Sequence, residues 1–112
     1  MLPHRVIALI PAAGGGVRMG AGRSKLLLSL AGENIIERTV RTVGGCGLIN
    51  HVVVVAPPTE IDRFKELHLE CYCPALSIIS GGATRQESVH LGVRFCASLL
   101  EPATQTYIAV HD

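Results

Sequence analysis

The stretch from Pro11 to Lys25, PAAGGGVRMGAGRSK, carries the residues best suited to chemistry. Small residues come first, and three basic side chains follow them, Arg18, Arg23 and Lys25. Residues 1–32 contain no Asp or Glu; the first acid is Glu33. Alanines and glycines let the backbone turn sharply and let a ligand approach its N–H groups. An N–H-rich loop with cations and no carboxylate meets the needs of a polyphosphate. The apolar run Val6-Ile7-Ala8-Leu9-Ile10 just before it reads as a buried strand. The expectation is a triphosphate-binding loop at the carboxyl end of a first strand.

Three known phosphate loops compete for this stretch. The P-loop pattern G-x-x-x-x-G-K-[ST] fails, because Lys25 follows Ser24 and no Gly-Lys-Ser/Thr occurs. The dinucleotide fingerprint G-x-G-x-x-G half fits: Gly14 and Gly16 are spaced correctly, but the third glycine falls on Met19. That fingerprint also calls for an acid closing the second strand to hold a ribose. Here the second apolar run ends Val55-Ala56-Pro57-Pro58. A nucleotidyltransferase loop has small residues first, then an Arg, then a Lys some residues on. It fits without exception.

Pro11-Ala12-Ala13-Gly14-x-Gly16-x-Arg18-Met19, followed by Lys25, resembles the signature of the 2-C-methyl-D-erythritol 4-phosphate cytidylyltransferase family of the non-mevalonate isoprenoid pathway. Two further blocks agree in order and distance. Gly81-Gly82-x-x-Arg85-x-x-Ser88-Val89 is similar to the family's second nucleotide segment. Val110-His111-Asp112 is similar to the start of its V-H-D-A-A-R-P segment. The resemblance implies transfer of a cytidylyl group from CTP to 2-C-methyl-D-erythritol 4-phosphate, with release of pyrophosphate. Relatives acting on ribitol 5-phosphate share the same blocks, so the acceptor stays open among sugar (polyol) phosphates.

The resemblance also implies roles. Arg18 and Lys25 neutralise the triphosphate and act in catalysis. The backbone of Pro11, Ala12, Ala13, Gly14, Gly15 and Gly16 wraps the nucleotide, and Gly81, Gly82, Arg85 and Ser88 complete its site. Gly82 reads cytosine through its N–H and Ser88 through its hydroxyl; Arg85 alternatively ties this loop to the first one. Asp112 is the carboxylate for Mg2+, joining the metal to the α-phosphate. Within the matched region, Ser24-Lys25-Leu26 stands where the family often has Pro-Lys-Gln, and Val17 and Ala83 replace commonly polar positions. Readings from other classes are a nucleotide-binding module without turnover and an NAD-type oxidoreductase.

The elements that must hold these residues follow from periodicity. Ile36, Val40 and Val43 fall on one helical face, with Asn34 and Glu37 as a capping pair and Gly44-Gly45-Cys46-Gly47 as the stop. Val52-Val53-Val54-Val55 is a second buried strand. Residues 59–69 read as a helix with Ile61, Phe64 and Leu67 inward, and Leu76-Ser77-Ile78-Ile79 as a third strand. Thr84-Arg85-Gln86-Glu87 is a capping box opening a third helix, whose apolar positions are Val89, Val93, Cys96 and Leu100. Tyr107-Ile108-Ala109-Val110 is a fourth strand. Alternation of strand and helix predicts a Rossmann-like open, mostly parallel sheet with helices on both faces, and the resemblance implies that it is of nucleotide-diphospho-sugar transferase type. Each motif block lies just after a strand, so the topology gathers all three at one edge.

With 112 residues there is material for at most one domain, and 48% apolar against 17% charged residues describes a globular chain. A net charge of +1 argues against a general nucleic-acid binder. No apolar run reaches membrane-spanning length. Met1 leads almost directly into the first strand, so a cytoplasmic protein without a leader is expected. Cys71 and Cys73 are spaced C-x-C with no second pair, Cys46 and Cys96 stand alone in apolar surroundings, and all four read as reduced and structural. Family members are longer, with their acceptor site and dimer-forming arm in later segments. Residues 1–112 are therefore expected to be the N-terminal, nucleotide-binding part of a cytidylyltransferase domain, truncated after the fourth strand and homodimeric in a full-length form.

Overall fold

The computed structural model describes residues 4–13, 29–30, 33–73, 75–102 and 104–111. Along them run β1 (His4–Pro11), β2 (Ser29–Leu30), β3 (Glu33–Asn34), α1 (Ile35–Gly44), β4 (His51–Ala56), α2 (Ile61–Glu66), β5 (Leu76–Ser80), α3 (Arg85–Ala97) and β6 (Gln105–Val110). Single 3₁₀ turns, Pro58–Glu60 and Leu69–Cys71, flank α2. The main sheet has the order β5-β4-β1-β6, with every neighbouring pair parallel. β2 and β3 form a separate antiparallel hairpin that the sequence patterning did not announce.

Handedness explains which face each helix takes. The chain steps outward from β1 to β4 to β5, then returns to the far side of β1 as β6. Right-handed crossovers that reverse direction must switch faces. Accordingly Ile36 and Val40 of α1 and Phe64 of α2 pack with Ala8, Ile10, Val52, Val54 and Ala56 on one face. Cys96 of α3 packs with Ile7, Leu9, Val53 and Val55 on the other. The valine run of β4 is buried throughout because it lies between two covered faces.

Two helices depart from their predicted form. The helix expected over residues 59–69 is broken: α2 ends at Glu66, and His68 takes a left-handed backbone with φ of 52°. The last turn tightens, Leu67 and His68 donating to the Phe64 and Lys65 carbonyls, and the left-handed residue then redirects the chain so that Leu69 is buried. In α3 the fully buried ridge is Ser88, Gly92 and Cys96; of the predicted inward positions Cys96 is buried and Val89 packs half-buried against the core, while Val93 and Leu100 do not. A Cβ on Gly92 would lie 2.5 Å from Leu9 Cδ1 and 3.0 Å from Val55 Cγ2, so the helix uses its small residues to approach the sheet. That rotation leaves Val93 exposed, and Leu100, beyond the end of α3, is exposed as well.

All four cysteines are free thiols; Cys73 and Cys96 are buried, whereas Cys46 is exposed rather than in apolar surroundings. Burial raises the Cys96 thiol pKa, which suits a packing role. Among the described residues no helix is long and apolar enough to cross a membrane.

Candidate nucleotide site

Because the main strands are parallel, their carboxyl ends share one edge. Backbone rungs extend the sheet past each strand at that edge. Ala12 N–H donates to the Val55 carbonyl, Gly81 N–H to the Ala56 carbonyl, and His111 N–H to the Leu9 carbonyl, each at 2.8 Å. The beginnings of all three blocks are thus fixed to the same edge. Strand order reverses between β1 and β6, and in open α/β sheets ligands bind in the crevice outside the carboxyl ends at such a reversal.

Pro11 shapes that crevice. Residues of β1 alternate between partners: Ala12 turns its N–H toward β4, while Leu9 bonds toward β6. The next β1 amide toward β6 would be that of residue 11, and proline has no N–H to give. The β1–β6 ladder therefore closes at the Leu9–His111 rung, and the two chains can part just above it. A proline inside a central strand would cost a rung; at the last position it ends the pairing where the site begins.

On the other side of β1, the first two blocks touch. A Cβ on Gly81 would meet Ala13 Cβ at 2.6 Å, Ser88 Oγ at 2.7 Å and Val55 Cγ1 at 2.9 Å. Only glycine lets the chain leaving β5 lie against the start of the first loop. Ser88 is fully buried, and its hydroxyl accepts the Gly82 N–H at 3.1 Å. The two groups predicted to read a base are thus hydrogen-bonded to each other.

The predicted capping box forms, with one difference. Thr84 Oγ1 accepts the Glu87 N–H at 3.1 Å, but the Glu87 carboxylate accepts from Ala83 rather than from the cap residue itself, also at 3.1 Å. Glu87 therefore holds the loop next to Gly82, a role the sequence motif pointed to only as a helix start. Arg85 is exposed at the first position of α3. Gly14, Gly15, Gly16, Arg18, Lys25 and Asp112 lie outside the described residues. Among the described residues there is no cluster of three or more His, Cys, Asp or Glu placed to hold a metal.

The His51 pKa is displaced downward, at the opposite, amino end of the sheet. Burial lowers it first and the nearby Arg5 guanidinium adds to the effect; its Nε2 lies 3.0 Å from Ser77 Oγ. This group is part of the fold's foundation and not of the site.

A parallel sheet whose order reverses beside β1, with helices on both faces, defines an open α/β protein of Rossmann-like type. The sequence profile of the 2-C-methyl-D-erythritol 4-phosphate cytidylyltransferase family matches residues 6–112, and the chain belongs to that family. It is 39% identical over 107 residues to the 2-C-methyl-D-erythritol 4-phosphate cytidylyltransferase of Saccharopolyspora erythraea, covering 96% of this chain and 46% of the relative. The enzyme of the same name from Streptomyces coelicolor is 40% identical over 113 residues, covering 98% and 40%. The crystal structure of 4-diphosphocytidyl-2C-methyl-D-erythritol synthase from Anaerococcus prevotii superimposes with a TM-score of 0.67 at 25% identity, over 93% of this chain and 42% of that one. The chain spans less than half the length of these relatives.

Proposed function

We propose that residues 1–112 form the nucleotide-binding part of a cytidylyltransferase that moves a cytidylyl group from CTP to 2-C-methyl-D-erythritol 4-phosphate. The observation that carries this reading is that the starts of three motif blocks lie at one sheet edge, beside the reversal of strand order. In the reaction an acceptor phosphate oxygen bonds to the α-phosphorus of CTP while the bond to the departing pyrophosphate breaks. The protein has little covalent work to do, so positioning and charge stabilisation carry the catalysis.

The roles divide accordingly. Arg18 and Lys25 hold the negative charge of the triphosphate and of the crowded transition state. Backbone N–H groups of residues 12–16 wrap the phosphates, and Pro11 ends the ladder that would otherwise close the crevice. Gly81 sets the second loop against the first, Arg85 completes the nucleotide site, and Gly82 with Ser88 addresses the cytosine edge. Presenting the Gly82 N–H to a base requires the Ser88 hydroxyl to release it, so the pair forms a base-responsive latch. Asp112 would hold Mg2+, which takes one or two carboxylates and fills its remaining positions with phosphate oxygens and water. That donor chemistry fits a carboxylate next in sequence to His111, whose amide is fixed at the same edge. When bound, the cation neutralises phosphate charge. A cytoplasmic location and a homodimeric full-length form belong to the same proposal.

A second reading rests on the chain's span, less than half of its relatives. In it, the 112 residues bind CTP without turning it over. Calorimetric titration with CTP, ATP and NADH, each with and without Mg2+, tests the CTP site that both readings share, and pyrophosphate release in the presence of the acceptor separates them. We expect saturable, metal-dependent binding of CTP that Asp112→Asn uncouples from the metal. Binding of NADH in preference to CTP would overturn the nucleotide assignment and restore the oxidoreductase reading.

A further inference from the structure

The segment leaving β5 gives three successive amides to three different partners. Gly81 N–H donates to the Ala56 carbonyl of β4 at 2.8 Å, Gly82 N–H to Ser88 Oγ at 3.1 Å, and Ala83 N–H to Glu87 Oε2 at 3.1 Å. The first bond is a rung of the sheet, and the other two reach the first turns of α3. Gly82 also lies against the stem of Glu87. A Cβ at Gly82 would meet Glu87 Cβ at 2.7 Å and Oε2 at 2.6 Å.

The carboxylate of Glu87 does not serve the helix. In a capping box, the acid at the third helical position reaches back to the N–H of the cap residue itself. Here it passes the cap residue, Thr84, and takes the amide of Ala83, which belongs to the loop. The helix start is already capped, because Thr84 Oγ1 accepts the Glu87 N–H. What the carboxylate fixes is the far end of the segment that carries Gly82. Glu87 is exposed, so water competes for its oxygens and the bond adds little to global stability. Its effect falls on where the Gly82 amide points.

We propose that Glu87 is a positioning residue for base selection: it keeps the Gly82 amide in place when the Ser88 hydroxyl lets it go. The inference rests on the reading of Gly82 and Ser88 as the groups that address cytosine. An N–H favours cytosine over uracil only opposite ring N3, which accepts a hydrogen bond in cytosine and carries a hydrogen in uracil. That distinction needs a donor that cannot turn away, since discrimination of this kind comes from polar groups left facing the wrong partner. With Gly82 released from Ser88, the segment keeps two anchors, the Ala56 carbonyl before it and the Glu87 carboxylate after it. Removing the second leaves Gly82 held from one side, and glycine has the widest backbone freedom of any residue. Glu87 acts through the loop and needs no contact with the nucleotide.

The test measures binding of CTP and of UTP, each with Mg2+, by calorimetry. It uses the 112-residue chain and its Glu87→Ala, Glu87→Gln and Thr84→Ala variants, with amide exchange at Gly82 and Ala83 followed by NMR. Both positions are exposed, so the substitutions leave the core intact. In Glu87→Ala we expect the preference for CTP over UTP to fall by at least about fivefold, and exchange at Ala83 to quicken by at least about tenfold. Glu87→Gln keeps an acceptor oxygen at the same reach and should restore most of the preference. Thr84→Ala removes the helix cap but not the Ala83 bond, so it should lower the unfolding midpoint and keep the preference. An unchanged CTP preference in Glu87→Ala overturns the role of Glu87 and leaves the cytosine reading standing. Equal losses in Thr84→Ala and Glu87→Ala overturn it too, reducing Glu87 to part of the helix start. If the parent chain binds CTP no better than UTP, the cytosine reading fails and the inference falls with it.

Discussion

Gly81 and Ser88 are the residues at which fold and site cannot be separated. Gly81→Ala puts a methyl group within 2.9 Å of three separate atoms, Ala13 Cβ, Ser88 Oγ and Val55 Cγ1. None sits at the end of a long flexible side chain, so we expect a loss of about 1–3 kcal/mol, read by thermal unfolding. Weaker CTP binding should accompany it, because the first loop is pushed away. Ser88→Ala keeps the volume and removes the acceptor of the Gly82 N–H. About 1 kcal/mol of stability should go, and the preference for CTP over other nucleoside triphosphates should narrow. Unchanged base preference in Ser88→Ala would remove the serine from cytosine recognition.

His51 offers a pH test at the same scale. Burial and Arg5 hold its pKa below the ordinary 6.5, so the unfolded chain binds a proton more readily than the folded one. Stability therefore rises with pH wherever the unfolded state binds more protons. The contribution is complete above about pH 6.5 and is lost as the pH falls toward the lowered folded value. Denaturation midpoints measured from pH 5 to 8 should show this slope, and it should flatten in His51→Gln. These pH values follow from the histidine reference.

At the scale of elements, the parts legible in the sequence are those fixed by local chemistry. The β-branched run ending at Val55 could only be an interior strand, and Thr84 with Glu87 marked the start of α3 within one residue. The helix faces at Ile36, Val40 and Phe64 were equally plain. The break after α2 was not legible, because it depends on His68 adopting a left-handed backbone that histidine does not advertise. The rotation of α3 was hidden for a related reason. Apolar periodicity favours Val93 facing inward, but close packing through Gly92 and the bond from Gly82 to Ser88 decides otherwise. Phe64→Ala checks the α1/α2 face: its ring is fully buried among sheet residues, and its loss should cost about 3–5 kcal/mol. Denaturation should show this with a two-state transition preserved.

For the whole molecule, the sequence blocks and the sheet agree by a simple route. Parallel strands bring every carboxyl end to one side, so motifs nearly a hundred residues apart in sequence start from one edge. What the sequence did not reveal was the exposure of Val93, since a stripe of helical spacing looks the same whether or not the fold buries it.

The most direct measurement is pyrophosphate release from CTP, Mg2+ and 2-C-methyl-D-erythritol 4-phosphate. It is run on a chimaera in which residues 6–112 replace the matching segment of the Saccharopolyspora erythraea relative. The account predicts turnover, reduced by about 10²–10³-fold or more in Lys25→Ala and in Arg18→Ala, as for removal of groups that stabilise transition-state charge. A folded chimaera that releases no pyrophosphate, or one indifferent to both substitutions, would contradict it.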